Sequence, residues 1–317
     1  VAVAYSTEQQ LAWEARQRPR AGIAAVIAAV LTFGADIWSV LAFRAAPHAG
    51  FLESLQNAAR PGPVGATPSI HTAAYLFYDA HEISAIASSV ILAIGLVGLG
   101  WALTFVAAAT RARRPEMPRF AMYMPLIGAI LQAVASILRA TATSSAISNF
   151  LSGPHTVDRA ADVSSSSLLV ASAFIGFVGQ VALAAGLVLV CLNAMRAGLL
   201  TRFMGVLGII VGVLQILPFG ALPVLQAFWL LALGALLLGL RPGGEIPTAW
   251  RSGRAEPWPT QAEVAAQRKA AAETRRGNGR AKPPATRAAP PEKPQAAARP
   301  AGTATGTPAK RKRKRRH

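Results

Sequence analysis

The stretch 83-ISAIASSVILAIGLVGLGWALTFVAAA-109 runs for 27 residues without a charged side chain. A helix rises 1.5 Å per residue, so about 20 apolar residues cross the ~30 Å hydrocarbon core of a bilayer. Lipid offers the backbone no hydrogen-bond partners, and a segment of this length must satisfy itself as a helix. Five further runs read the same way: 21–43, 120–138, 167–192, 203–219 and 222–240. The last two are short, and 218-PFGALP-223 between them spells a tight turn at a membrane edge. The sequence therefore predicts an all-α fold, a polytopic integral membrane bundle of six transmembrane helices followed by a disordered basic C-terminal tail. Composition agrees: 53% of the 317 residues are hydrophobic and 15% charged, where soluble domains carry about a quarter charged.

The chain divides into a cytoplasmic segment (1–20), the bundle (21–240), a juxtamembrane segment with a short helix (241–276) and the tail (277–317). The first run is 23 residues long, beyond a signal-peptide core, and no A-x-A site follows it; retention as an anchor is expected. Residues 6–20 read as a separate short helix along the inner surface, opened by a capping box of Thr7 and Gln10.

Arginine placement orients the spans, because Lys and Arg near helix ends stay cytoplasmic. Arg16, Arg18 and Arg20, then Arg111, Arg113, Arg114 and Arg119, then Arg196 and Arg202 fall on alternate loops. The intervening loops offer Arg44, Arg60, Arg139 and Arg159 over much longer stretches. Both termini are thus expected in the cytoplasm and the protein in the plasma (inner) membrane, with loops 44–82 and 139–166 outside. Trp13, Tyr123, Trp250 and Trp258 are expected at the inner headgroups, and Tyr75 and Tyr78 at the outer ones.

Residues 241–317 carry 19 of the 32 Lys and Arg but 5 of the 14 acids. Within them, 260-TQAEVAAQRKAAAETRR-276 reads as a helix with a T-x-x-E cap, and the Pro-, Ala- and Gly-rich remainder cannot bury enough surface to fold. Its end presents Lys310, Arg311, Lys312, Arg313, Lys314, Arg315 and Arg316. Such a run suits anionic lipids, at about 1 kcal/mol per charge, or non-specifically nucleic acid, without base reading.

Two sets of residues carry chemical interest. In 71-HTAAYLFYDAHE-82, His71, Asp79, His81 and Glu82 precede the second span, and His155 with Asp158 and Asp162 lies in the other outer loop. Histidines with carboxylates suit zinc or a harder divalent ion. His71 and Glu82 are three helical turns apart, about 16 Å, so one ion needs ligands from both loops. No spacing here matches a specific metal motif, and the plainer reading is a polar, aromatic helix entry.

The second set lies within the spans. Asp36, Arg139, Gln132, Gln180, Gln215 and Gln226 are costly in lipid and should face the bundle interior, mostly in its outer half. Asp36 and Arg139 are at comparable depth and form a possible cross-helix pair. Small residues four apart (Gly208 and Gly212, Ser172 and Gly176, Ala182 and Gly186, Gly98 and Ala102) favour close helix approach. The single cysteine, Cys191, reads as a small hydrophobe.

No nucleophile elbow, Walker loop, dinucleotide fingerprint or haem-attachment motif occurs, and no cofactor is called for. The halves show no inverted repeat of the kind common in transporters. The leading functional expectation is a non-enzymatic membrane organising or interaction protein with lipid as its partner. The alternative is a small-solute or ion transporter with an outward-facing polar cavity, and a metal-dependent membrane enzyme built on 78-YDAHE-82 comes third. The first two part on whether Asp36, Gln132, Gln180 and Gln215 meet in one cavity or point into separate packed seams.

Overall fold

The computed structural model describes residues 6–48, 50, 55, 59, 67–216, 223–240, 246–258 and 261–278. Among them the regular structure is helical: α1 (Thr7–Phe43), α2 (Thr72–Ala80), α3 (Glu82–Arg113), α4 (Arg119–Leu151), α5 (Val157–Ser165), α6 (Ser167–Arg196), α7 (Arg202–Ile216), α8 (Pro223–Leu238), α9 (Ala249–Ser252) and α10 (Gln261–Asn278). The chain forms two compact units, Val1–Pro259 and Thr260–His317, and α10 is the described element of the second. The seven basic residues 310–316 and the 218–223 turn, apart from Pro223, lie outside the described residues.

Four helices are long and apolar enough to cross a membrane: α1, α3, α4 and the pair α5–α6, which is interrupted at Ser166. α7 and α8 are apolar but shorter, at 15 and 16 residues. The distribution of side-chain size is that of a membrane protein. α1 buries Ala21, Gly22, Ala25, Ala28 and Ala29 while Ile23, Ile27, Val30 and Val40 are exposed. A helix in water does the reverse; in lipid the large side chains lose nothing by facing out, and small ones let backbones approach.

The helices form a ring. α1 packs on α3, α3 on α4, α4 on α6 and α6 on α7; α8 closes the ring against α1 and, less extensively, α7. Successive long helices run in opposite directions. One end of the bundle therefore carries Arg113, and the other carries Asp36. The tightest crossing is between α4 and α6, where Gly128 and Gly179 face each other. A Cβ on Gly128 would lie 2.3 Å from the Leu183 amide nitrogen and 2.8 Å from the Gly179 carbonyl oxygen.

The Arg113 end is solid. Leu103, Val106, Leu183, Val190, Trp229, Leu230 and Leu233 are fully buried there or just above it, and the Trp229 indole donates to the Met204 carbonyl at 3.0 Å. Glu14 and Arg113, 99 residues apart, make a two-pronged buried ion pair at 2.5 and 2.8 Å. Arg113 also donates to the carbonyls of Ala109 and Ala249 and lies over the Trp250 ring. The segment 246–258 thus folds back as a clasp. The Trp250 and Trp258 indoles donate to the Leu199 and Leu200 carbonyls at 3.0 and 2.8 Å.

Three expectations change here. The separate surface helix over 6–20 does not exist: α1 runs unbroken through Pro19, because Arg113 draws in Glu14 and Trp13 packs on Phe105. Its cap is Ser6 with Gln9, one residue earlier than Thr7 with Gln10. Trp250, expected among headgroups, is instead 6% exposed because its indole and Arg113 both need partners inside the clasp.

At the Asp36 end the segment before α2 and the segment between α4 and α5 pair with each other. Pro68 bridges Thr156, and the amides of Ser69 and Val157 donate to the His155 and Thr67 carbonyls. Beneath this bridge Ile147, Phe150, Ala160 and Val163 form a small second core, onto which Tyr75 and Tyr78 of α2 pack. The result is a cap of α2 and α5 over one end of the ring.

Candidate functional site

Under that cap the ring is hollow. A cavity of about 640 Å³ is lined by all six helices of the ring and by Tyr78 from the cap. α1 supplies Thr32, Asp36, Ser39 and Phe43, and α4 supplies Gln132, Ser136, Arg139 and Thr143. Both sets follow i, i+4, i+7 and i+11, which places four side chains on one face of a helix. α3 repeats the spacing with Ala85, Ser88, Ser89, Leu92 and Leu96, and α6 contributes Gly176, Phe177 and Gln180. The short helices each offer a glutamine close to their cavity end, Gln215 on α7 and Gln226 on α8. All six intramembrane polar residues named from the sequence meet in this one space.

Their bonding states differ. Gln180 donates its amide to the Gln215 main-chain carbonyl on α7. Thr32, Ser88 and Ser89 donate their hydroxyls back to carbonyls of their own helices, at 2.8, 3.0 and 2.9 Å. Their oxygens keep lone pairs free, so these positions offer acceptors. Asp36 and Arg139 do not form the expected pair: among the described residues neither has an ion pair or a side-chain hydrogen bond. The Arg139 guanidinium lies across Gly176 of α6, where a Cβ would come within 3.7 Å of its Nη2. It is therefore held at the α4–α6 wall, while Asp36 projects from α1.

Near the mouth Phe43 stacks on Tyr78 with ring centroids 5.4 Å apart. Burial, and secondarily the negative charge of Glu82, push the Tyr78 phenol above its ordinary pKa. It stays neutral throughout the physiological range, able to donate and accept.

The histidine and carboxylate set behaves otherwise. The helix breaks at His81, between α2 and α3. The His81 ring stacks on Phe77 at 4.1 Å, and its Nδ1–H donates to the Phe77 carbonyl at 2.8 Å. Glu82 accepts from the Ser144 hydroxyl across to α4. His71 sits beside Tyr75, His155 stacks on Phe150, and Asp79 is exposed. Each is taken up in packing or faces away, and among the described residues no group of three His, Cys, Asp or Glu is placed to hold a metal ion.

Sequence reading missed the hydroxyls. Thr32, Ser39, Ser88, Ser89, Ser136 and Thr143 line the cavity beside the charged and amide groups. The signal was present as the i, i+4, i+7 stripe through Asp36 and through Gln132, visible once Ser and Thr are counted as polar in a span. It also missed Glu14 with Arg113, since a bond across 99 residues leaves no local pattern. Compared with models of known protein families, with curated proteins and with solved structures, the chain matches none.

Proposed function

We propose that the protein is a six-span membrane protein that takes a small polar solute into the Asp36 cavity from outside the cell, as a solute-binding or transport protein. The observation that carries this reading is the convergence of Asp36, Arg139 and four glutamines on one cavity of about 640 Å³, a size that suits small-molecule sites. A bundle that only packed would spread such groups over separate seams, each satisfied by a neighbour. Here two charges are left facing a space that water or a solute can fill.

In this reading α7 and α8 are the fifth and sixth spans. At 15 and 16 described residues they run about 23 Å, against a core of ~30 Å. The Arg113 end, with Arg16, Arg18, Arg20, Arg111, Arg114, Arg119, Arg196 and Arg202, is the cytoplasmic one in the plasma membrane, by the charge rule. The packed clasp closes the cavity on that side. Residues 310–316 would then lie along the anionic inner leaflet.

Thiol labelling tests access and orientation together. Cys191 is the single cysteine and is 0% exposed, so the native protein should not react. In intact cells Ser136→Cys is expected to react with a membrane-impermeant maleimide added outside. Arg196→Cys, at the opposite end, should react only after permeabilisation. Silence at Ser136→Cys, with the protein present in the membrane, removes the outward cavity.

A further inference from the structure

The cavity has two charges, and their placement says what should fill it. Asp36 and Arg139 line the same space from different walls; the helices that carry them both pack on α3 and flank it. Among the described residues no other lining residue is charged. Left unpaired, each side chain draws on cavity water for solvation, and a solute that replaces this water must bring the opposite charge to each. From this we infer that the solute is a small zwitterion, an ammonium and a carboxylate on one uncharged molecule. The inference rests on the reading of the cavity as a solute site.

The neutral groups fit the same molecule. The hydroxyls of Thr32 on α1 and of Ser88 and Ser89 on α3 have spent their protons on main-chain carbonyls. With those bonds kept they accept from a ligand, and they share the space with the Asp36 carboxylate. An ammonium carries up to three donors and no acceptor, so it satisfies this wall. On the far wall the Arg139 guanidinium presents a planar fork of donors that matches a carboxylate, and the Gln132 amide on the same face of α4 adds more. A simple cation meets Arg139 and a simple anion meets Asp36, so each single charge buries one repulsion with its attraction. A zwitterion buries none. The volume is ample for an amino acid with a short or medium spacer and some water.

The test uses the purified full chain in lipid nanodiscs and calorimetric titration. The probes are the unbranched amino acids glycine, 3-aminopropionate, 4-aminobutyrate, 5-aminopentanoate and 6-aminohexanoate. Propionate and propylammonium supply each charge alone. At least one amino acid is expected to bind, about ten-fold or more tighter than either single-charge probe, a margin of about 1.4 kcal/mol. Asp36→Asn and Arg139→Gln should each weaken that amino acid about ten-fold or more while melting close to the native temperature. To separate binding from folding, Gly34→Ala, on α1 but outside the cavity lining, is measured beside them and should bind as the native chain does.

Three results overturn the inference: no amino acid binding, a single-charge probe binding as tightly as the best amino acid, or variants that bind as the native chain does. Thiol labelling separates these from failure of the cavity itself. If propionate or propylammonium protects Ser136→Cys from maleimide at concentrations where no amino acid does, the cavity is a solute site and the zwitterion is wrong. If Ser136→Cys never reacts, both readings fall.

Discussion

Glu14→Ala is expected to cost the folded protein about 3–5 kcal/mol, seen as a fall of about 10 °C in the melting midpoint in detergent. The reason is what it leaves behind. Arg113 has a side chain 0% exposed, and its two terminal nitrogens spend themselves on the Glu14 carboxylate. With Glu14 truncated, a guanidinium that cannot lose its proton stays in a dry site with main-chain carbonyls alone as partners. Glu14 holds two connections at once, since the Gln10 amide also donates to it at 2.9 Å. The pair itself need not stabilise much, because two charges were taken out of water to make it. Glu14→Met with Arg113→Met together should therefore recover most of what Glu14→Ala loses. A single variant that melts with the native protein, or a double variant no better than the single, would contradict this account.

Gly128→Ala is expected to lose about 3 kcal/mol or more, at the upper end of overpacking costs. The methyl group would meet the Leu183 amide at 2.3 Å and the Leu183 Cα and Gly179 oxygen at 2.8 Å. These are main-chain atoms of a facing helix and cannot rotate away, so α4 and α6 must separate. That separation also shifts Arg139 against Gly176 and should loosen the cavity wall. The control is Gly34→Ala on α1, where a Cβ would meet nothing within 4 Å. There alanine should be neutral or gain up to about 1 kcal/mol from helix propensity. Melting midpoints of the two variants should straddle the native value; a Gly128→Ala protein as stable as Gly34→Ala would show that the crossing is not tight.

The long helices were legible because apolar length is a local property: 83–109 announces itself in any window. So were Asp36, Arg139 and the glutamines, since a polar side chain among twenty apolar ones stands out. That they meet was not legible. Convergence depends on how each helix is rotated about its axis, and that rotation is set by contacts such as Gly128 with Gly179 and Gly22 with Gly234, between positions tens to hundreds of residues apart. Gly128 does not belong to any small-residue pair noted from spacing, whereas Gly208 and Gly212 do and pack against Cys191 and Val188 of α6.

Residues 6–20 misled for a related reason. Mixed charges on a short amphipathic stretch describe a surface helix well, unless one of the acids has a buried partner elsewhere. Glu14 has one, and the helix is pulled upright into α1. The cap was opaque for a different cause: among the described residues it is held by a single bridge at Pro68 and Thr156 and by a four-residue core, neither of which has a periodic signature.

The clasp has a bearing on how the molecule is made. Arg113 donates to the carbonyl of Ala249, 136 positions further along the chain. A ribosome adding about 5–20 residues per second reaches Ala249 on the order of ten seconds after Arg113. For that interval α4, α6, α7 and α8 are still being made, and the Arg113 end of the nascent bundle has no clasp. Insertion and closure are therefore separate events in time, and the second is governed by translation past the last apolar helix.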